Sequence, residues 1–209
     1  MDLILISCAV FLLAFIVVKL MDYPMDRRKR EVKEAANSIG YKFYADAVRD
    51  KFDIITFDVL FLNRSGSVGG GDFEYLISNG TDGVLENRIP RGSAFDYRSN
   101  VYFSRVRFPC KLFIGTRRVS YNRGFFERNE DRSSKKVGPF MVEKKGSSIS
   151  DKSLMLILEV LGKYSRPYVL ASNGCLLFYD EGKTIKPSDL EGFISDGKKI
   201  SGLIPRFSQ

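Results

Sequence analysis

From Leu3 to Val18 the chain has no charged residue, and Lys19-Leu20-Met21 carries this opening run to membrane-spanning length. A hydrocarbon core of ~30 Å needs about 20 helical residues, and roughly 17 suffice where flanking side chains snorkel. The stem of Lys19 can lie along the apolar face with its ammonium at the interface. A helix buried in a soluble core is shorter or amphipathic, whereas this one is apolar all round. Leu3 to Met21 is therefore expected to be a membrane anchor. The expected organisation is an anchor helix at 1–22, a basic juxtamembrane helix at 23–40 and a cytosolic domain at 41–209.

Orientation follows from the flanks. Only the α-amino group and Asp2 precede the run, whereas Lys19, Arg27, Arg28, Lys29, Arg30 and Lys33 follow it closely. Lys and Arg mark the cytoplasmic side. The N-terminus is expected outside and the body in the cytosol. A cleavable signal peptide needs a basic start and a small-residue cleavage site, and neither Met1-Asp2 nor Val17–Tyr23 provides one. Leu5-Ile6-Ser7-Cys8 matches a lipoprotein box only superficially, with no hydrophobic region before it.

Composition suits a cytosolic body. Cys8, Cys110 and Cys175 are too few for a disulfide framework and are expected to be reduced and packed. Under this topology the sequons at Asn63 and Asn79 are inert turn residues. About 185 residues follow the anchor, enough for one globular domain or two small ones packed together.

Along that body, Val32, Ala35, Ala36 and Ile39 share one face of a helix expected at 26–39, and Gly40 suits its left-handed end. Strands are expected at 52–62, 73–78, 84–87, 94–97, 101–108 and 111–114, and 127–136 reads as a solvated connection. Ser150 or Asp151 caps a helix to Lys163 with Leu154, Ile157, Leu158 and Leu161 on its apolar face. Asn173-Gly174 signals a hairpin between strands 168–172 and 175–179. Ser188-Asp189-Leu190-Glu191 fits a capping box that opens a final helix with Leu190, Phe193 and Ile194 inward. The order predicts an α+β fold: one mainly antiparallel sheet with about three helices after the transmembrane helix.

Several of these segments carry a resemblance. The anchor and basic helix ending in Ile39-Gly40-Tyr41-Lys42-Phe43, the run Phe57 to Asn63, Asp82-Gly83 and Ala94-Phe95-Asp96-Tyr97-Arg98 come first. The hairpin Asn173 to Tyr179, Gly182-Lys183 and Lys186-Pro187 complete the set. Together they resemble a group of small membrane-anchored bacterial proteins of unknown function. The resemblance implies a bacterial inner-membrane location and transfers no catalytic residue.

The chain has no histidine, which excludes Ser-His-Asp and Cys-His nucleophiles and His-based zinc sites. Asp46, Asp50, Asp53 and Asp58 show no recognised catalytic or Mg²⁺ spacing. Gly66 to Gly71 lacks the Gly-Lys-Ser/Thr of a phosphate loop and reads as a strand connection. One patch stands out. Arg98, Arg105, Arg107, Lys111, Arg117, Arg118 and Arg123 fall in a stretch without an acid, interleaved with Phe103, Phe108, Phe113 and Tyr121. In a chain of net charge +8 this is either a solvated face or an anion-binding one. Anionic lipid is favoured over nucleic acid, because an anchor already supplies proximity.

The expected function is binding rather than catalysis: a single-pass module or scaffold that contacts the bilayer through residues 3–21 and either anionic headgroups or a protein partner. No cofactor is expected. The alternative is a tethered carboxylate/Mg²⁺ enzyme acting on a phosphate-bearing substrate. A pocket with converging carboxylates would favour that alternative.

Overall fold

A computed structural model of the chain describes residues 27–45, 72–91, 95–105, 110–116, 133–146, 149–171 and 175–205, together with Leu12. The described strands are β1 (Lys42–Ala45), β2 (Asp72–Ser78), β3 (Asp82–Arg91), β4 (Phe95–Ser104), β5 (Cys110–Gly115), β6 (Ser133–Val137), β7 (Phe140–Gly146), β8 (Pro167–Ala171) and β9 (Leu176–Asp180). They form one sheet in the order β1-β2-β3-β4-β9-β8-β5-β7-β6. Each described pairing is antiparallel. Among the described residues three helices accompany it: α1 at 27–38, α2 at Asp151–Leu161 and α3 at Leu190–Leu203, the last entered through a 3-10 turn at Pro187–Asp189. This is the expected α+β class. Apart from Leu12, which is helical, the Leu3–Met21 run lies outside the described residues. Among the described residues no helix is long and apolar enough to cross a membrane.

The helices cover one face of the sheet. Val32 and Ala36 of α1, Leu154, Ile157 and Leu161 of α2, and Phe193, Ile194 and Ile200 of α3 join Tyr75, Ile77, Val84, Tyr102, Ile114, Val169 and Phe178 in one buried cluster. The strand residues of opposite phase form a second cluster with Leu76, Leu85, Phe103, Phe113, Tyr168, Leu170 and Leu177. Burial on both faces explains why β9 is a continuous apolar run without alternation.

Several boundaries differ from expectation. Strands expected at 94–97 and 101–108 are one strand, β4, held by a ten-residue register with β3. Part of the expected connection at 127–136 is β6, an edge strand. The expected pairing of β8 with β9 forms, with Ala171 in register with Leu176, and Asn173-Gly174 lies outside the described residues. No capping box forms at α3. Pro187 starts the 3-10 turn early, and Ser188 Oγ donates to Asp189 Oδ1 instead of accepting from a helix amide. Asp82 opens β3, and the turn before it is organised by Asn79 Oδ1, which accepts from the amides of Thr81 and Asp82. α2 is capped as expected by Ser150 Oγ, which accepts from the Ser153 amide at 3.0 Å. Gly40 ends α1 with φ +77°. The expected strand at 52–62, the glycine run and Asp46, Asp50, Asp53 and Asp58 lie outside the described residues.

Chain direction sets which residues meet at each end of the sheet. α1 starts beside Glu86 and Asn100 and ends at Tyr41, which touches Asp82 at the start of β3. The antiparallel registers then give the sheet a near end and a far end. The near end holds the start of α1, the first residues of β4, the last of β9, the 181–186 loop and the start of α3. The far end holds Asp82, Ser104, Leu176 and Ala171.

Candidate functional site

At the near end, Arg28 reaches from the first described turn of α1 into the sheet. Its Nη2 lies 2.7 Å from Glu86 Oε2 on β3, and the two side chains are 22% and 1% exposed. The same guanidinium donates to Asn100 Oδ1 at 3.4 Å and to the carbonyl oxygen of Ile185 at 3.2 Å. Asn100 is itself buried. Its Nδ2 donates to the Tyr75 hydroxyl at 2.9 Å, and its Oδ1 accepts from the Ile185 amide at 2.7 Å. The Asn100 amide donates to Lys183 O, and Ser99 Oγ accepts from the Gly182 amide. Burial first, and then the Glu86 carboxylate, hold the Tyr75 phenol well above its ordinary range. One network therefore fastens α1, the three neighbouring strands β2, β3 and β4, and the 181–186 loop together.

That loop forms one wall of a groove of about 560 Å³. The other walls are Tyr164 just beyond α2 and Ser188, Gly192 and Phe193 at the start of α3. Tyr164 stands edge-on to Phe178 and Phe193 and donates to Asp196 at 2.9 Å. Two carboxylates, Asp180 and Asp189, also line the groove. Asp180 accepts from the amides of Ser165 and Arg166 and from Ser165 Oγ, which ties the α2–β8 turn to β9. A second hollow of about 600 Å³, between the β6–β7 turn and α2, is lined by Pro139, Phe140, Met155 and Leu156 among others. Met155 there is 59% exposed.

A second buried acid sits at the far end. Asp82 accepts from the hydroxyls of Tyr41 at 2.6 Å and Tyr102 at 3.3 Å, with Lys198 Nζ 3.8 Å away. Lys198 also lies over the Tyr41 ring. Burial and then the bond to Asp82 raise the Tyr41 phenol far above its usual range. Asp82 joins α1's end and α3 to the sheet.

The expected cationic residues divide. Arg98 is at the near end of β4, in register with Arg88. Arg105 follows β4 at the far end, where its amide donates to Thr81 O, and Lys111 begins β5 at that same end, in register with Lys145. Seven residues of strand, about 23 Å, separate Arg98 from Arg105. Arg107, Arg117, Arg118 and Arg123 lie outside the described residues. Of the cations expected beside the membrane, Arg27 pairs with Glu31, Arg28 with Glu86 and Lys29 with Glu74, while Arg30 is exposed. Glu86, Asn100 and the loop lysines 183 and 186 were not expected at a site. Glu86 and Asn100 carry a sequence signal: each is polar in the phase of the buried Val84 and Tyr102.

Among the described residues no group of three or more Cys, Asp or Glu could hold a metal ion. No family model matches the sequence, and no curated relative matches it. The solved structure of the mycobacterial trehalose monomycolate transport factor A is similar, with a TM-score of 0.51 and 12% identity over 87% of this chain and 98% of that one. Likeness at that identity concerns the fold alone.

Proposed function

We propose that this chain is a single-pass, membrane-tethered binding module, with Leu3–Met21 as the anchor, its body in the bacterial cytosol and the near end of its sheet toward the bilayer. The observation that carries this reading is the docking of Arg28. Five residues lie between Met21 and Arg27, and the six steps from one Cα to the other reach at most about 22 Å. Because Arg28 is pinned to Glu86, Asn100 and Ile185, the near end and its groove stay within that reach of the anchor's end.

Binding is favoured over carboxylate catalysis by the state of the acids. Asp82, Glu86, Asp180 and Asp196 each accept bonds that join elements of the fold, so none is held ready for proton transfer or Mg²⁺. The mycobacterial neighbour is by name a transport factor for trehalose monomycolate. An accessory role at the membrane, holding or presenting a ligand without converting it, suits the same fold here.

The test is a pair of C-terminal reporters on the full chain, combined with alkaline carbonate extraction of membranes. The cytosolic reporter is expected to be active, the export-dependent one silent, and the chain retained in the membrane pellet. An active export-dependent reporter, or release into the supernatant, overturns the reading.

A further inference from the structure

We propose that the near-end groove seats the headgroup of an anionic membrane phospholipid, a proposal that rests on the tethered reading above. Position comes first. Ile185, in the groove wall, accepts from Arg28, so the groove opens beside the helix that leads out of the expected anchor. Charge comes second. In the first turn of α1, Arg27, Arg28 and Lys29 are already paired with carboxylates. Lys183 and Lys186, on the groove's loop, are exposed and have no ion pair among the described residues. Arg166 is exposed at the same end, where its carbonyl accepts from the Glu181 amide. Of the two acids in the wall, Asp180 is taken up by the 165–166 turn, and Asp189 accepts from Ser188 Oγ. The groove's loop thus offers two ammonium groups, and a cytoplasmic leaflet attracts such cations.

Shape agrees. About 560 Å³ is within the range of small-molecule sites, and the wall combines apolar Tyr164, Phe193 and Ile185 with the hydroxyls of Thr184 and Ser188. That mixture fits a phosphoglycerol with the start of its acyl chains. The loop is held in place beforehand, since buried Asn100 bonds both its Lys183 carbonyl and its Ile185 amide. Gly192 is in the wall, and a Cβ built there would meet nothing within 4 Å, so a side chain can start from this position without contact at its root.

The experiment is native mass spectrometry of the full-length chain in detergent, titrated with phosphatidylglycerol or with phosphatidylcholine of the same acyl length. The parent is expected to retain phosphatidylglycerol preferentially. Lys183→Glu with Lys186→Glu should weaken it roughly 10- to 30-fold. Gly192→Phe should weaken it similarly while melting no lower than the parent, and Lys42→Glu, at the far end, should leave it unchanged. Equal retention of the two lipids overturns the proposal. So does undiminished binding in Gly192→Phe, which would reduce the effect to general surface charge, or a loss in Lys42→Glu as large as in the double variant. Complete displacement by millimolar inorganic phosphate would identify a free-phosphate site and overturn the lipid assignment. Because the titration is done in detergent, its outcome is independent of the carbonate extraction that tests the anchor.

Discussion

Removing the Arg28 side chain should leave the buried Glu86 carboxylate without its cation, and the size of the loss can be worked out from its surroundings. Glu86 is 1% exposed, and its short contact is Arg28 Nη2 at 2.7 Å, with Asn100 Nδ2 at 3.5 Å as a longer one. Breaking a buried pair on one side costs about 3–5 kcal/mol. Arg28→Ala should therefore lose about 3 kcal/mol. Adding Glu86→Gln should recover part of that loss, because the amide leaves no buried charge without its cation. The assay is denaturant unfolding of the full chain in mild detergent, followed by tyrosine fluorescence since the chain has no tryptophan. Amide exchange at Lys183–Ile185 should also quicken, because the Ile185 carbonyl loses its donor. A deficit below about 1 kcal/mol, or a double variant no more stable than Arg28→Ala alone, would refute the reasoning.

Two glycines of α3 should respond in opposite directions. A Cβ at Gly197 would fall inside the buried Tyr102 ring, so Gly197→Ala should cost about 1–3 kcal/mol, whereas Gly202→Ala meets nothing and should gain up to about 1; melting temperatures that move together would count against this packing. The Tyr41 and Tyr75 phenols are raised by burial, so their contribution to stability is whole below about pH 10 and falls above it by about 1.4 kcal/mol per pH unit each. Unfolding midpoints that stay flat from pH 9 to 11.5 would contradict it. Burial pushes the Cys175 thiol up to about 12, so in a chain with Cys8 and Cys110 replaced by Ser it should resist alkylation at pH 8 until denaturant is added.

The parts of the fold that could be read in advance are those whose burial leaves a periodic mark. α2 shows its 3.6-residue stripe, and β8 and β9 show unbroken apolar runs, because the core alone decides those positions. β6 leaves no such mark. Among the described strands it pairs on one side only, and its exposed Lys135 and Lys136 are what an edge uses to discourage further pairing, so it reads as a solvated linker. The capping-box pattern at Ser188 misleads for a different reason: Pro187 begins a helical turn one step earlier, and the serine never reaches the position at which its oxygen would face a helix amide.

Arg28 shows how a site residue hides among its neighbours. By composition it is one of four consecutive cations, and a reading based on charge treats them alike. By helical phase it differs, since it lies four residues before Val32 and eight before Ala36, both buried, and so continues their stripe. A cation in the buried phase needs a buried acid, and Glu86 is the acid in the buried phase of a strand. That pairing spans 58 residues, which no local window connects. The groove beside it draws on β4, the end of α2 and the start of α3, so its two free lysines look like any others until the registers of β3, β4 and β9 bring those segments to one end. Phase relative to the core thus separates Arg28, which finds a buried carboxylate, from Lys183 and Lys186, which are set on a loop with no phase and line the groove.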